Sequence, residues 1–388
     1  VTLHYMSEML KELDAQGYET TSPYFQRYLA WVRYHFDLLG ESSPLLQSPW
    51  KDTFADDSRR MQYLADFAAT GPVEGAVNSF CKHLAAIVRE EVDPLDLLFN
   101  QGLAKDLYKD EIFVITAKRM AVFMDLLAHK NSKLDILEIG AGTGSGTQQI
   151  LSALGKQGND KGVTPRYQSY TFTDISPGFF EKAKAKFSDH VDRMTFQTLD
   201  IERDPAAQGF TPGGYDVVIA ATVLHATQSV SDTLSHARSL LKPGGYIILM
   251  EPTNKHDTVL NGIWGTLPGW WRSTEEDRKW CPLYSRDEWD YYLKQTGYTG
   301  VEMAITDFPD VENHTLSFLL SRASHEESNQ LQLPESLFIA AETEFQLKVA
   351  GEIASYISST FGKKCDILTP DAISEQISQS NVCLSLLD

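Results

Sequence analysis

The sequence predicts an open, doubly wound α/β sheet preceded by a helical region, on three observations. An apolar run runs straight into a glycine-rich turn and then a helical pattern at Leu134–Thr147, LDILEIGAGTGSGT. Short apolar runs then alternate with helical stretches as far as residue 250, the signature of βα units around a mainly parallel sheet. Acidic residues recur just where those runs end, on the edge where such sheets bind ligands.

Taken in order, residues 1 to about 130 read as helices. After Ser22-Pro23, a cap-like start, Tyr24, Phe25, Tyr28, Trp31, Val32, His35 and Phe36 recur at helical spacing, a face for a core or a lid. Further helical stretches are expected at Met61–Ala69, Val73–Glu90, Leu95–Leu107 and Ile112–His129. Leu134, Ile136, Leu137 and Ile139 form a buried strand, and Gly140, Gly142, Gly144 and Gly146 allow a sharp turn with close ligand approach into a helix at Thr147–Leu154. A polar loop, GKQGNDKGVTPR, leads to a strand Tyr170–Thr173 ending at Asp174, which also suits the N-cap region of a helix from Ser176-Pro177. The next strand is Met194–Thr198, followed by Leu199-Asp200-Ile201. Tyr215–Ala221, YDVVIAA, is a fully buried strand ending in Thr222-Val223-Leu224-His225. A helix Val230–Leu241 is stopped by Lys242-Pro243-Gly244-Gly245, and the strand Tyr246–Met250 delivers Glu251.

Composition narrows the function. At 388 residues two or three units are the prior, and 42% apolar with 22% charged residues is ordinary globular composition. A net charge of −19 opposes a nucleic-acid or anionic-membrane partner. The four cysteines, Cys81, Cys281, Cys365 and Cys383, form no C-x-x-C pair or metal-ligand spacing, so neither a disulfide framework nor a metal site is expected, and a reducing, cytoplasmic compartment fits. No apolar run is long enough to span a bilayer, and VTLHYMSEML has no signal-peptide features. The absence of an initial Met suggests a piece of a longer polypeptide.

The glycine turn reads G-x-G-x-G, with Ser145 where a dinucleotide fingerprint places its third glycine, which opposes an NAD-binding oxidoreductase. Glu138, two positions before the first glycine, would repel a pyrophosphate and favour a cation. E-x-G-x-G-x-G resembles the S-adenosylmethionine motif of class I methyltransferases, which implies that fold and cofactor, with S-adenosylhomocysteine as product. On that resemblance Glu138, Gly140, Gly142 and Gly144 hold the methionine part. Asp174, beside the glycine turn on the neighbouring strand, accepts the ribose hydroxyls with Ile175 next to it. Asp200 and Ile201 take the adenine amino group and ring, and Ala221 closes the set.

His225 and Glu251 fall at the carboxyl ends of the fourth and fifth strands, neighbours ~5 Å apart in this topology, so their side chains can meet on the ligand edge. An imidazole held in one tautomer by a carboxylate is the equipment of a general base near neutral pH. The competing interpretation is a structural histidine capping the strand.

From the glycine turn onward the chain resembles the C-methyltransferase domain of fungal highly reducing polyketide synthases of the lovastatin-synthase type. The resemblance rests on DLLAHKNSKLDILEIGAGTGSGT, YTFTDISPGFFEKAKAKF, ATVLHAT, LLKPGGYIILMEPT and IWGTLPGWWRSTEEDRKWCPLYSRDEWDYYL, and covers roughly residues 93–320. It implies methyl transfer to the α-carbon of a β-ketoacyl thioester on an acyl carrier protein, with His225 and Glu251 as the family's catalytic pair. Neighbouring domains of the same synthase would be its other partners. Trp264, Leu267, Trp270 and Trp271 would wall the acyl chain, and Tyr108 would reach the substrate from the helical cap. Arg272-Ser273-Thr274 departs from the small apolar or glycine-containing sequence expected there, which bears on the shape of the lid.

Three segments follow from this: a helical N-terminal lid subdomain (1–130), a class I methyltransferase core (131–323), and a C-terminal partial βαβ segment (324–388) resembling the start of a structural pseudo-ketoreductase. In the last, Leu337–Ala341, Cys365–Leu368 and Val382–Leu387 are expected as strands, Phe345–Thr360 as a helix, with a short helix from Asp371. The rival functions are a small-molecule O- or N-methyltransferase and a non-catalytic methyltransferase-like scaffold.

Overall fold

A computed structural model describes residues 1–103, 111–155, 165–309, 314–324, 337–361, 364–369, 372 and 382–385. The chain forms two compact units, Val1–Ser324 and His325–Asp388.

In the first unit a helical region precedes the sheet: α1 (Thr2–Ala15), α2 (Pro23–Leu39), α3 (Trp50–Ala55), α4 (Asp57–Thr70), α5 (Pro72–Cys81), α6 (Leu84–Val88) and α7 (Glu111–Lys130). Pro23 and Pro72 stand in the first turn of their helices, where a missing N–H costs nothing. The helix expected over Val73–Glu90 is divided between α5 and α6. Of the stretch Leu95–Leu107, the π-helical turn Asp96–Asn100 is formed, Leu103 is helical, and residues 104–107 lie outside the described residues.

The sheet elements are β1 (Asp135–Ile139), α8 (Ser145–Leu154), β2 (Ser169–Asp174), α9 (Phe180–Lys186), β3 (Met194–Thr198), β4 (Tyr215–Ala221), α10 (Val230–Leu240), β5 (Leu241–Pro252), α11 (Thr258–Trp264), α12 (Arg286–Gln295), β6 (Met303–Thr306) and β7 (Leu316–Arg322). Strand order is β3-β2-β1-β4-β5-β7-β6. The first five strands are parallel, and β7 joins β5 antiparallel. The order reverses between β1 and β4, which opens a crevice at their carboxyl ends. The antiparallel β6–β7 pair was not foreseen in the sequence.

Two hydrophobic clusters cover the two faces of the sheet. Met120, Met124, Ile150 and Phe172 lie on one side with Ile136, Val217 and Ile248; Leu234, Trp289 and Leu293 lie on the other with Leu137, Val218 and Leu249. Alternate residues of β1, β4 and β5 thus serve opposite faces, as the strand period requires. A third cluster joins the amino-terminal helices to the segment after β5, with Met6, Phe25, Tyr28, Trp31 and Phe80 packed with Ile263, Trp271 and Leu283. Burying an aromatic of this size contributes ~2–3 kcal/mol. The cap is therefore built from the amino-terminal helices and the segment that follows β5, and it roofs the carboxyl edge of the sheet.

The second unit, described by itself, has β8 (Leu337–Ala340), α13 (Glu344–Phe361), β9 (Cys365–Leu368) and β10 (Val382–Ser385), with parallel order β10-β8-β9. Ile339, Ala341 and Ala350 form its small buried core. The segment after Asp371 lies almost wholly outside the described residues.

Candidate active site

The site grows out of the segments that follow β1 to β5 at the carboxyl edge. After β1, Gly140, Gly142 and Gly144 all take positive φ (63°, 53° and 72°), the left-handed region open to glycine at no steric cost. At Gly140 a Cβ would stand 2.5 Å from Val223 Cγ2, so this turn packs directly on the turn that carries His225. At Gly142 a Cβ would meet nothing nearer than 3.9 Å, and its amide donates to Asp174 Oδ2 at 3.0 Å. The second oxygen of Asp174 accepts from Ser176 N at 2.8 Å. The carboxylate is thereby fixed beside the open side of the turn, with Ile175 63% exposed next to it.

Glu138 lies beneath the turn. It is fully buried and accepts from Tyr170 Oη at 2.6 Å and from the Thr147 hydroxyl. Burial pushes its pKa up to about 7, against the pull of those two hydroxyls and of Lys186. Lys186 in turn donates to Gly144 O at 3.0 Å.

After β3, Asp200 Oδ1 accepts from Glu202 N at 3.1 Å, and Ile201 is buried among Leu199, Phe210 and Leu224. After β4, Ala221 is half-buried and Thr222 takes φ 56°, an outlier for a β-branched residue, which costs ~1–2 kcal/mol. That reversal turns two successive amides onto one oxygen: Val223 N and Leu224 N donate to Glu251 Oε1 at 3.1 and 2.8 Å. The other oxygen, Oε2, meets His225 Nδ1 at 2.6 Å. Glu251 is 0% exposed, and as a carboxylate it can only accept, so it pairs with the tautomer that carries its proton on Nδ1 and leaves Nε2 with its lone pair. The parallel register of β4 and β5 is what brings the two groups together.

His225 opens onto a cavity of about 560 Å³ between the cap and the sheet edge. Its walls include Val77 of α5, Ile263 of α11, Trp264, Leu267 and Trp270. The Trp270 ring meets the imidazole edge-on at 5.7 Å between centroids. Trp271 does not line the cavity, contrary to expectation. Its indole N–H donates to Gly265 O at 2.7 Å and its ring packs near Trp31, because adjacent residues of a tight helical turn point to different sides. Arg272 does line the cavity and pairs with Glu202 at 2.8 Å. Tyr108 lies outside the described residues. Sequence reasoning missed Thr222, whose strain has no sequence signal, and Arg278, hidden in a charged run. Among the described residues no cluster of metal-ligating side chains gathers and no helix is long and apolar enough to cross a membrane.

A family model described as a methyltransferase domain matches residues 137–247. The highly reducing polyketide synthase NEC1 of Pyricularia oryzae is 38% identical over 324 residues, 83% of this chain and 11% of that protein. The chain spans about a tenth of the length of the curated relatives it matches, 9% and 11% for the first two. Among solved structures, the trans-methyltransferase CalH in complex with SAH is similar at a TM-score of 0.69 and 30% identity, over 83% of this chain and 88% of that one. The CurJ carbon methyltransferase follows at 0.63 and 29%, over 84% and 90%.

Proposed function

The chain belongs to the S-adenosylmethionine-dependent carbon methyltransferase domains of polyketide synthases, and on that premise we propose that it methylates the α-carbon of a β-ketoacyl thioester carried on an acyl carrier protein, with His225 as base and Glu251 as its partner. The observation that carries this reading is the 2.6 Å bond from His225 Nδ1 to a fully buried carboxylate at the wall of an apolar cavity.

The residues around the crevice fit the cofactor. Gly142 leaves open room where a Cβ would intrude, Asp174 offers fixed acceptors for two ribose hydroxyls, and exposed Ile175 offers an apolar face for the adenine. Asp200, Ile201 and Ala221 complete its surroundings, while Glu138 acts on it only from beneath the turn. When bound, S-adenosylmethionine supplies an electrophilic methyl group on a sulfonium.

A carbon between a ketone and a thioester gives up its proton far more readily than an ordinary C–H, so a neutral imidazole suffices as base. His225 Nε2 takes that proton while Nδ1–H stays on Glu251, whose carboxylate then balances the imidazolium. Glu251 is itself held by Val223 N and Leu224 N, so the pair enters the reaction already oriented. Trp264, Leu267 and Trp270 exclude water around the acyl chain and hold the reacting carbon against the base.

The test uses a β-ketoacyl-pantetheine and its β-hydroxy counterpart. Only the β-keto compound is expected to gain a methyl group, on carbon, and His225→Ala is expected to abolish transfer while SAH still binds. Methylation of both compounds, or loss of SAH binding in the variant, overturns the reading.

A further inference from the structure

The segment after Trp271 carries a buried charge that the reaction above does not use. Arg278 is 1% exposed, and its guanidinium is committed to main-chain carbonyls of the turn that bears the base. Nη1 donates to His225 O at 2.8 Å, and Nη2 donates to Thr227 O and Gln228 O at 2.8 and 2.9 Å. Glu275 balances the charge at 2.6 Å with one oxygen and accepts from Val230 N at 3.0 Å with the other. The ring of Tyr284 lies 5.4 Å from the guanidinium carbon.

The turn Leu224–Ala226 is therefore gripped at both ends. Its leading amides are held by Glu251, and the carbonyls of His225 and the residues after it are held by Arg278. The second grip comes from the same stretch of chain that supplies Trp270 and Arg272 to the cavity wall and bonds Thr274 N to Gln228 O at 3.1 Å.

We propose that Arg278 is a positioning residue for the base, through which the lid segment that walls the cavity also sets the orientation of His225. Its planar fork meets three carbonyls in one fixed geometry, which the single ammonium of a lysine cannot reproduce. The inference rests on His225 being the base. An acyl chain seated against Trp264, Leu267 and Trp270 bears on the segment that holds the base, so substrate fit and base alignment are linked.

The experiment follows deuterium exchange at the α-carbon of a β-ketoacyl-pantetheine in D2O without cofactor, together with kcat, KM and SAH binding, in wild type, Arg278→Lys, Arg278→Met and His225→Ala. Both Arg278 variants are expected to lose at least tenfold in exchange and in kcat, with KM and SAH affinity within threefold of wild type, and Lys is expected to retain more than Met. A role confined to cavity shape would instead move KM. If Arg278→Met fails to fold, Arg278→Lys, which keeps the charge beside Glu275, decides alone. Wild-type exchange in a folded Arg278→Lys overturns the inference. Wild-type exchange in His225→Ala instead overturns the assignment of the base.

Discussion

Replacing Glu251 by Gln isolates the tautomer on which the base depends. The side chains have the same shape, so the buried site keeps its packing, but the carboxylate now receives three N–H donors and an amide has only one acceptor oxygen. Val223 N and Leu224 N converge on one point and are fixed by the backbone, so the amide oxygen goes there and its NH2 faces His225 Nδ1. Nδ1 must then accept, the ring proton moves to Nε2, and the nitrogen that takes the substrate proton is blocked. Where a carboxylate behind a catalytic histidine is changed to an amide in this way, turnover falls by about 10⁴-fold. Here about 10³-fold, ~4 kcal/mol in barrier, is expected for methyl transfer, with SAH affinity within threefold of wild type. Turnover within tenfold of wild type in a folded Glu251→Gln protein would refute the argument. Glu251→Ala is a poorer test, because it also leaves two buried amides without an acceptor.

Two further predictions concern the cofactor side. Burial raises Glu138 from the ordinary 4.5 to about 7, so between those values the folded protein keeps a proton that the unfolded chain has lost. Its contribution to stability therefore falls as pH rises from about 4.5 to about 7, by ~3 kcal/mol in all, and is level above. Glu138→Gln should remove that fall, read as the difference between the two curves of denaturation free energy against pH; parallel curves would contradict it. Asp174→Ala should weaken SAH binding by about 30- to 150-fold, ~2–3 kcal/mol, through lost bonds to a charged acceptor and a loosened Gly142 turn. An affinity within threefold of wild type in calorimetry would remove Asp174 from the ribose site.

Amino-acid order alone determined the parallel part of the sheet and which residues fall at its carboxyl edge. β3, β4 and β9 run over the residues expected; for β4 the reason is that a strand buried on both faces must be apolar throughout, whereas β3 and β9 are edge strands with exposed positions, marked by the turn residues that bound them. The glycine turn was legible because positive φ and close approach leave few residues that fit. His225 and Glu251 were legible as a pair because neighbouring parallel strands fix where their carboxyl ends lie. The antiparallel β6–β7 pair carries no βα punctuation, and HTLSFLLSR does not say which edge it joins.

What only the tertiary structure decided is which chemically suitable residues face the site. Trp270 and Trp271 are identical and adjacent, yet one meets His225 and the other is enclosed with Trp31, since the choice is made by the helices packed above them. Arg278 sits in the run EEDRK, which reads as solvated surface; it is buried because the carbonyls of His225, Thr227 and Gln228, some fifty residues earlier in the chain, converge to receive it. Glu138 was legible as an acid beside glycines, but its enclosure comes from Tyr170 and Thr147. Local sequence sets backbone conformation and hydrophobic period, whereas the burial and pairing of a charge depend on groups that only the folded chain brings within reach.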